Sequence, residues 1–362
     1  MILVSVGPSA GALSAPPVVR ELSADHRVQV LLEPGTDHFV GPGSFPSPTI
    51  ASGEIPSPPE AVLFLPATSG TLARLARGLD HPLAGACAAG VPVFVAPDLD
   101  AATAAHPAVA ENLQVMRADG RKVLRGADGG MAGVGEVVAG VLGGLGGAMS
   151  GLRVLVTTGG THEPLDSVRF IGNRSSGKMG LAVAREAQRR GAEVTVVAAN
   201  VAGREPGVAW RDVQTVAQLR DAVLSLAGGA DVLVMAAAVS DFTPASVAGE
   251  KIRRGSGVRS IEVEPTPDVL RAVRERNPDL FMVGFAATHG DPAPDAREKL
   301  TKKGADVVVG NDISREGVGF GAEENEVYVV TGRGERFVPR ATKTEVAREI
   351  LDDVQALLGR ER

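Results

Sequence analysis

The sequence contains little cysteine, few aromatic residues and no long hydrophobic run. Its single cysteine, Cys87, rules out an intrachain disulfide framework and a zinc site built from cysteines. No run approaches the ~18 consecutive apolar residues that a membrane-spanning helix requires. Met1 leads directly into a strand-like run at residues 2–6, without the basic segment and cleavage signal of a secretory leader. We therefore expect a protein that works in the cytoplasm, without a membrane partner.

The charge balance argues against a further class of partner. The formal net charge is −6, so the chain lacks the general basic surface through which many proteins bind nucleic acids. Of its 362 residues, 44% are hydrophobic and only 3% are aromatic. This length and hydrophobic content predict two domains, whose cores are built mainly from valine, leucine and alanine.

Strand-like and helix-like runs alternate along the chain, which is typical of α/β proteins with parallel sheets. A glycine-rich, uncharged stretch at residues 140–151 interrupts the alternation, which restarts at Arg153. We interpret this stretch as a flexible connection between two doubly wound domains, residues 1–139 and residues 152–362. In such folds ligands bind beyond the carboxyl ends of the strands, so the loops there are the first candidates for function.

The most unusual of these loops spans residues 157–180, between a strand-like run and an amphipathic run. Glycines that lead from a strand into a helix often bind phosphate, because the first N–H groups of the helix lack partners. The loop is neither a P-loop, since Met179 follows Lys178, nor a G-x-G-x-x-G fingerprint. Its polar side chains are Asp166, Arg169, Asn173, Arg174, Ser175, Ser176 and Lys178. They predict a ligand site, and the alternative is a decorated loop without a ligand.

Further polar groups follow other strand-like runs in this half. Asp241 would bind a ribose hydroxyl, a base amino group or a metal, or would simply cap a turn. The cationic run 250–254 precedes glycines, which is typical of a mobile lid over phosphates but also of solvated surface. Lys299 and Lys303 lie four residues apart, on one face of a predicted helix. Basic groups from three segments would thus converge on one polyphosphate.

Six motifs of this half occur together in one family. They are N-R-S-S-G-K-M-G at 173–180, A-A-A-V-S-D-F at 236–242, K-I-R-R at 251–254, P-T-P-D at 265–268, G-F-A-A at 284–287 and G-N-D-I at 310–313. With these motifs in the family's order, residues 153–355 resemble the phosphopantothenate–cysteine ligase domain of the bacterial bifunctional coenzyme A biosynthesis proteins. The resemblance implies a Rossmann-like C-terminal domain with ligase activity.

The resemblance also implies a mechanism and a set of site residues. In the family, the carboxylate of 4′-phosphopantothenate attacks CTP to give an acyl-cytidylate and pyrophosphate, and the amine of cysteine then displaces CMP. Asn173 would stabilise the acyl-cytidylate, Lys251 would contact the triphosphate, and Mg²⁺ with unidentified protein ligands would bridge the phosphates. The nucleotide site would comprise Gly159, Met235, Ala236, Ala237, Asp241, Lys251, Pro267, Asp268, Val269, Leu270, Phe285, Lys299 and Lys303. The substrates would contact Arg169, Asn173, Ser175, Ser176 and Lys178.

The first half resembles, in degenerate form, the flavodoxin-like (HFCD-type) flavin-dependent decarboxylase domain of the same proteins. The matching segments are residues 65–80 and 106–113. The family's catalytic histidine is missing from the shortened segment 57–60, its substrate-holding asparagine is Asp100, and its acid cysteine has no counterpart in 130–133. Gly70 replaces an asparagine beside the flavin. We therefore expect the decarboxylase activity to be lost, and FMN binding is in doubt.

Several points remain open at this stage. The chain would be a ligase with an inactive partner domain, a fully bifunctional enzyme that uses FMN, or a non-catalytic nucleotide-binding module. Thr288 stands where the family commonly has glutamate, which leaves the preference for CTP over ATP undecided. Ligase domains of the family dimerise, so we expect a homodimer formed through residues 152–362, or a higher oligomer.

Overall fold

The computed structural model describes residues 1–24, 26–50, 59–78, 83, 87, 90–126, 129–205, 207–253, 260–315, 317–319 and 321–359. The chain divides into two compact units, Met1–Gly147 and Ala148–Arg362. Across the described residues, no helix is both long enough and apolar enough to cross a membrane.

Unit 1, Met1–Gly147, is a parallel sheet with helices on both faces. Its described strands are β1 (Ile2–Val6), β2 (Val28–Leu32), β3 (Thr49–Ile50), β4 (Ala61–Ala67), β5 (Val93–Pro97) and β6 (Lys122–Val123). Its helices include α1 (Ala15–Leu22), α2 (Ser69–Arg77), α3 (Ala101–Ala105), α4 (Pro107–Ala118) and α5 (Val134–Gly144). The strand order is β3-β2-β1-β4-β5-β6, which apart from the two-residue β3 is the flavodoxin-like order.

The central strands of unit 1 are buried along their whole length, as the continuous apolar runs of β1, β4 and β5 dictate. One face packs against α1 and α5, through side chains such as Val19 and Val137. The other face packs against α2 and α4, through Leu72 and Met116. The cores on the two faces of the sheet are therefore filled mainly by aliphatic side chains, in a chain with few aromatic residues.

The expectation of a flexible connection at residues 140–151 is wrong for residues 140–144, because residues 134–144 form helix α5. Two of the glycines that suggested flexibility allow close packing instead. A Cβ atom on Gly140 would lie 2.5 Å from Leu124, and one on Gly144 would lie 2.3 Å from the ring of Phe94. The helix is therefore glycine-rich because it lies directly against its neighbours, a reason that composition alone does not reveal.

Unit 2, Ala148–Arg362, contains a larger sheet. Its described strands are β7 (Arg153–Gly159), β10 (Glu193–Ala199), β11 (Ala209–Val213), β12 (Val232–Met235), β15 (Phe281–Thr288), β16 (Val307–Asp312), β17 (Glu324–Thr331) and β18 (Gly334–Thr342). Its helices are α6 (Lys178–Arg189), α7 (Val216–Ala227), α8 (Val269–Arg276), α9 (Ala293–Lys303) and α10 (Lys343–Leu358). Two short ribbons pair β8 (His162–Pro164) with β9 (Phe170–Gly172), and β13 (Phe242–Pro244) with β14 (Val263–Pro265).

The large sheet has the order β11-β10-β7-β12-β15-β16-β17-β18. Strands β11 to β16 are parallel and follow the order 3-2-1-4-5-6 of dinucleotide-binding domains, whereas β17 and β18 add antiparallel strands at one edge. The order reverses at β7, between β10 and β12. A crevice opens at the carboxyl ends of strands at such a reversal, which places it at Gly159 and Met235. The predicted α/β architecture with two doubly wound domains is thus confirmed.

The packing of α5 leads to a test. We expect Gly144→Ala to destabilise unit 1 by about 1–3 kcal/mol, because the added methyl group would overlap the ring of Phe94, which is fully buried. The matched control is Gly43→Ala, whose methyl group would meet nothing within 4 Å and should change stability by less than about 0.5 kcal/mol. Thermal unfolding of both variants measures the difference. Equal midpoints would mean that residues 140–144 are a loose connection after all.

Candidate functional site

One cavity of unit 2 lies at the reversal of strand order and has a volume of about 730 Å³. Such a volume is in the range of small-molecule sites. Most residues singled out from the sequence line it: Asn173, Ser175, Ser176, Lys178, Met235, Ala236, Ala237, Asp241, Pro267, Asp268, Val269, Leu270, Phe285, Lys299 and Lys303. The structure therefore brings together five separate segments of the chain in one place.

Three predicted site residues do not line this cavity: Gly159, Arg169 and Lys251. Gly159 ends β7 with a φ of +86°, and a Cβ atom there would lie 2.0 Å from the carbonyl oxygen of Ala199. This glycine therefore permits the close approach of β7 and β10. Its contribution to the cavity is indirect.

The loops after β7 and β12 are joined by hydrogen bonds. The N–H of Ala237 donates to Oγ1 of Thr157 over 3.1 Å, and the N–H of Ser240 donates to Oγ1 of Thr161 over 2.9 Å. Asn173 belongs to the same network, because its side-chain amide donates to the carbonyl of Val239 over 2.9 Å. These bonds hold the exposed Asn173 amide at the cavity wall.

Helix α6 begins at the floor of this cavity. Its N-cap is Gly177, which has a φ of +77° and supplies no side-chain hydrogen bond to the first turn. The hydroxyl of Thr158 donates to the carbonyl of Gly177 over 2.7 Å, and Gly180 packs so tightly on Thr158 that a Cβ would lie 2.5 Å away. The first N–H groups of the helix, which have no partner among the described residues, and the positive end of the helix dipole are therefore held at the cavity, a typical anion-binding arrangement.

The opposite wall carries lysines and carboxylates. The Lys299 ammonium donates to the carbonyl of Phe285, and burial, together with repulsion from Lys303, lowers the pKa of Lys299. Lys303 forms an ion pair with Asp268, which also caps α8 by accepting the N–H of Arg271 over 3.2 Å. The predicted single helical face for the two lysines is thus observed on α9.

Asp241 is exposed beside these lysines, and its carboxylate has no hydrogen-bond partner among the described residues. Its backbone carbonyl accepts the N–H of Thr266 over 3.0 Å, next to the Phe242–Pro265 pair of the β13–β14 ribbon. Thr288 also lines the cavity, and its hydroxyl oxygen is buried without a hydrogen-bond partner in the described part of the chain. Both groups are available to a ligand.

Lys251 lies next to a segment that is fixed by one buried carboxylate. Asp166 accepts the N–H of Ile252 over 3.0 Å, and Arg169 donates to the carbonyl of Ile252 over 2.9 Å. Arg169 is paired with Asp166 and holds the pKa of that carboxyl far below its usual range. Arg169 therefore anchors the segment that carries Lys251. The rest of the predicted lid, residues 254–257, lies outside the described residues.

The sequence analysis assigned no site role at one corner of the cavity, which is formed by Lys343, Asn325 and Asn311, although Asn311 belongs to the G-N-D-I motif. These three side chains are buried, although each is polar. One signal in the sequence was available: Thr342 and Glu345 form the pattern of a capping box, which marks a helix start and places Lys343 in its first turn. A lysine is unfavourable there, because the helix dipole is positive at that end.

Unit 1 has a different arrangement at the turn after β1. The hydroxyl of Ser9 and the N–H of Gly11 both donate to one carboxylate oxygen of Asp98, over 2.6 and 3.1 Å. A Cβ atom on Gly11 would lie 2.6 Å from the sulfur of Met131. The donors of this turn are therefore occupied by a side chain of the same unit. Of the segment 57–60, where a histidine is missing, residues 57 and 58 lie outside the described residues.

Comparisons with known proteins agree with the arrangement of unit 2. The family model described as DNA/pantothenate metabolism flavoprotein C-terminal domain matches residues 149–358. The crystal structure of the C-terminal domain of coenzyme A biosynthesis bifunctional protein CoaBC matches with a TM-score of 0.51 and 34% identity, over 59% of this chain and 98% of that chain.

Relatives also match along the whole chain. The coenzyme A biosynthesis bifunctional protein CoaBC of Mycobacterium tuberculosis is 39% identical over an alignment of 406 residues, which covers 99% of this chain and 97% of that protein. The protein of the same description from Bacillus subtilis is 34% identical, over 82% of this chain and 78% of its own length. The chain therefore belongs to the family of coenzyme A biosynthesis bifunctional proteins CoaBC.

Proposed function

We propose that unit 2 joins 4′-phosphopantothenate to L-cysteine at the expense of CTP, and that unit 1 does not decarboxylate the product. The observation that carries this proposal is the convergence of five of the six motifs, all except K-I-R-R at 251–254, on one cavity at the reversal of strand order. The cavity offers lysines, an open helix start and an asparagine amide, and no hydroxyl–histidine pair that would act as a nucleophile is found among its lining residues. Such a set suits positioning and charge neutralisation.

The chemistry proceeds in two balanced steps. The pantothenate carboxylate oxygen forms a bond to the α-phosphorus of CTP, and the bond to the β-phosphate oxygen breaks, which releases pyrophosphate. The cysteine amine then attacks the acyl carbon, loses a proton and displaces CMP. Negative charge accumulates on phosphate oxygens in the first step, so donors fixed in advance lower its barrier. The first turn of α6 and the amide of Asn173 would supply these donors.

The lysine wall would receive the nucleotide. Lys299, Lys303 and Asp241 offer two donors and one acceptor in a cavity that the small residues Ala236 and Ala237 also line. The unpartnered hydroxyl of Thr288 adds a further polar contact in the same wall. Lys251 would close on the triphosphate, and the Asp166–Arg169 pair would keep its segment at a fixed distance from the cavity.

Mg²⁺ would be held mainly by the phosphates of the substrate. The described residues contain no group of three or more His, Cys, Asp or Glu side chains arranged to hold a metal. Nucleotide-bound Mg²⁺ commonly uses only one or two protein carboxylates together with phosphate oxygens, and Asp241 is exposed in the cavity for this purpose. The residues present therefore fit the ion, which would neutralise charge on the phosphates when bound.

Ligation is tested with the full chain, 4′-phosphopantothenate, cysteine, CTP and Mg²⁺. We expect mass spectrometry to detect phosphopantothenoylcysteine and a pyrophosphate assay to detect pyrophosphate. We expect Asn173→Ala to lower kcat/KM roughly 100-fold or more, because a donor to the developing charge is lost. Asn277→Ala, away from the cavity, is the control. If the wild-type protein releases no pyrophosphate, the alternative of a non-catalytic nucleotide-binding module gains support. ATP in place of CTP tests the nucleotide preference.

For unit 1, the residues at the expected flavin site do not fit FMN. In flavodoxin-like folds the phosphate of FMN would lie at the turn that follows a strand at the reversal of order, here the turn after β1. The carboxylate of Asp98 fills this turn and would repel a phosphate. With Asp100 and Gly70 in place of asparagines, this supports the loss of decarboxylation. The alternative of a fully bifunctional enzyme is favoured only by the relatives, whose names describe them as bifunctional and which match along both units.

A flavin titration separates these two alternatives. We expect the fluorescence of FMN to remain unchanged when the full chain is added, and riboflavin, which has no phosphate, is the control for weak binding of the ring alone. We also expect the ligation product to accumulate without release of CO₂. A yellow protein that converts this product to phosphopantetheine would establish the bifunctional alternative.

We further propose that unit 2 forms a homodimer through its two ribbons. Strands β8 and β13 lie side by side, and several large apolar side chains of the ribbons and their flanks are exposed. This ribbon patch comprises Val168, Phe170, Phe242, Val247, Ile261 and Val263. Phe170 extends the patch by stacking on His162, with 3.7 Å between the ring centroids. Contiguous exposed apolar surface is typical of homodimer interfaces, and a second copy would cover it.

The dimer is tested by Phe170→Glu, which places a charge in the middle of the ribbon patch. Analytical ultracentrifugation should give a dimer, or a larger multiple of it, for the wild-type protein and a smaller species for the variant, since burying an unpaired carboxylate is costly. Leu13→Glu in unit 1, at an exposed leucine outside the patch, should leave the mass unchanged. Identical masses for all three proteins would contradict the proposal.

A further inference from the structure

Asn200, the first residue after β10, has an unusual backbone conformation. Its φ is +54°, and among the residues that the structure describes it is the only one other than glycine with a positive φ. This left-handed conformation is unfavourable for L-residues, because Cβ approaches the following carbonyl oxygen, although asparagine adopts it more readily than most. A residue stays in it only where surrounding contacts hold it, and such residues cluster at functional sites. The contacts of Asn200 therefore indicate what it does.

The side chain of Asn200 joins the loops that follow β7 and β11. Its amide donates to the carbonyl of Gly160 over 2.9 Å and to the carbonyl of Gln214 over 3.0 Å. Its backbone N–H donates to the carbonyl of Val213 over 3.3 Å. The side-chain nitrogen of this exposed residue thus uses both of its N–H groups on main-chain carbonyls. Since both neighbours are acceptors, the amide nitrogen rather than the oxygen must face them.

Gly160 carries this restraint to Asn173. A Cβ atom on Gly160 would lie 2.8 Å from the backbone carbonyl oxygen of Asn173, so the two backbones are in direct contact. Gly160 also forms an isolated parallel bridge with Ala238. The next residue, Val239, accepts the side-chain amide of Asn173 over 2.9 Å. Gly160 therefore lies between Asn200 on one side and both the backbone and the side-chain acceptor of Asn173 on the other.

The residues after Gly160 have anchors of their own. The N–H of His162 donates to the carbonyl of Gln214 over 2.8 Å, and the carboxylate of Glu163 accepts the N–H of Val216 over 2.8 Å. These bonds fix the start of β8 without Asn200. By contrast, no other side chain in the described part of the chain bonds the carbonyl of Gly160. The Asn200 amide thus serves the position of Gly160 rather than the fold of the ribbon.

We propose that Asn200 is a positioning residue for Asn173, which acts by holding the carbonyl of Gly160 and with it the backbone on which Asn173 rests. The Asn173 amide has to meet charge that develops in the reaction, and a displacement of about 1 Å slows an otherwise intact site. Asn200 does not line the cavity, so it acts only through this contact. The inference rests on the ligase function proposed above, because that function gives Asn173 its role.

Steady-state kinetics of ligation by Asn200→Gly test the proposal. Glycine adopts the left-handed conformation freely, so this variant removes the amide without straining the backbone. We expect kcat to fall about 5- to 20-fold, the size of one or two lost hydrogen bonds, while KM for CTP changes less than about twofold. Asn200→Asp turns a carboxylate oxygen towards two carbonyl oxygens and should lower kcat at least as far. The control is Asn277→Ala, which removes another amide that donates to a main-chain carbonyl and should react like the wild-type protein.

A double variant separates positioning from general damage to the fold. In the Asn173→Ala background, Asn200→Gly should change kcat by less than about twofold, because no amide is left to position. Losses that simply multiply in the double variant would show that Asn200 acts independently of Asn173. That result, or an unchanged kcat in Asn200→Gly alone, would overturn the proposal.

Hydrogen exchange of the full chain provides a measurement that does not need the reaction. The N–H of Thr161 donates to the carbonyl of Ala238, and the N–H of Ser240 donates to the hydroxyl of Thr161. Asn200→Gly should speed exchange in peptides that cover residues 160–162 and 236–240 and leave those of β15 unchanged. Faster exchange in a protein that forms no ligation product would uphold the restraint by Asn200 and reject the proposed reaction. Unchanged exchange in both loops would reject the restraint, even in an active ligase.

Discussion

The close parallel pairing of β7 with β10 on one side and β12 on the other is the constraint on which the site depends. At β7 the chain connections leave in opposite directions, so no helix covers the carboxyl ends of these strands and a cavity remains. The backbone of Gly159 makes the pairing possible, since any side chain there would collide with Ala199. The order of the strands therefore creates the cavity, and the loops that line it supply its side chains.

Several charged groups of each unit are paired within that unit. Lysines on one wall pair with Asp268 or a backbone carbonyl, Lys178 pairs with Glu323, and in unit 1 Asp98 accepts from the donors of the first turn. Carboxylates thus stand at several positions that suit phosphates. The carboxylate of Glu323 is exposed and pairs with one lysine, whereas that of Asp98 accepts from two donors of the same unit at once.

Much of this was predictable from local sequence. The alternating runs predicted both doubly wound sheets, and the spacing of Lys299 and Lys303 predicted their shared face, because helix and strand periods are local properties. The place of Lys343 at the cavity was not predicted, since it depends on the packing of α10 on α6, more than 150 residues away in sequence. The glycines of α5 were misinterpreted for a related reason: whether a glycine serves flexibility or close packing depends on its neighbours in space. The ribbons were missed because their strands are too short to show a period.

The buried carboxylate of Asp166 links two loops into one cooperative element. It accepts the N–H groups of Val168, Arg169 and Ile252, so the β8–β9 turn and the segment before the lid share a single anchor. Because its pKa is depressed in the folded protein, the anchor stabilises the fold at neutral pH and loses that contribution only as the pH falls below the ordinary value of 3.8. The two loops consequently order and melt together. Any partner that binds the β8–β9 turn would thereby also restrict the position of Lys251.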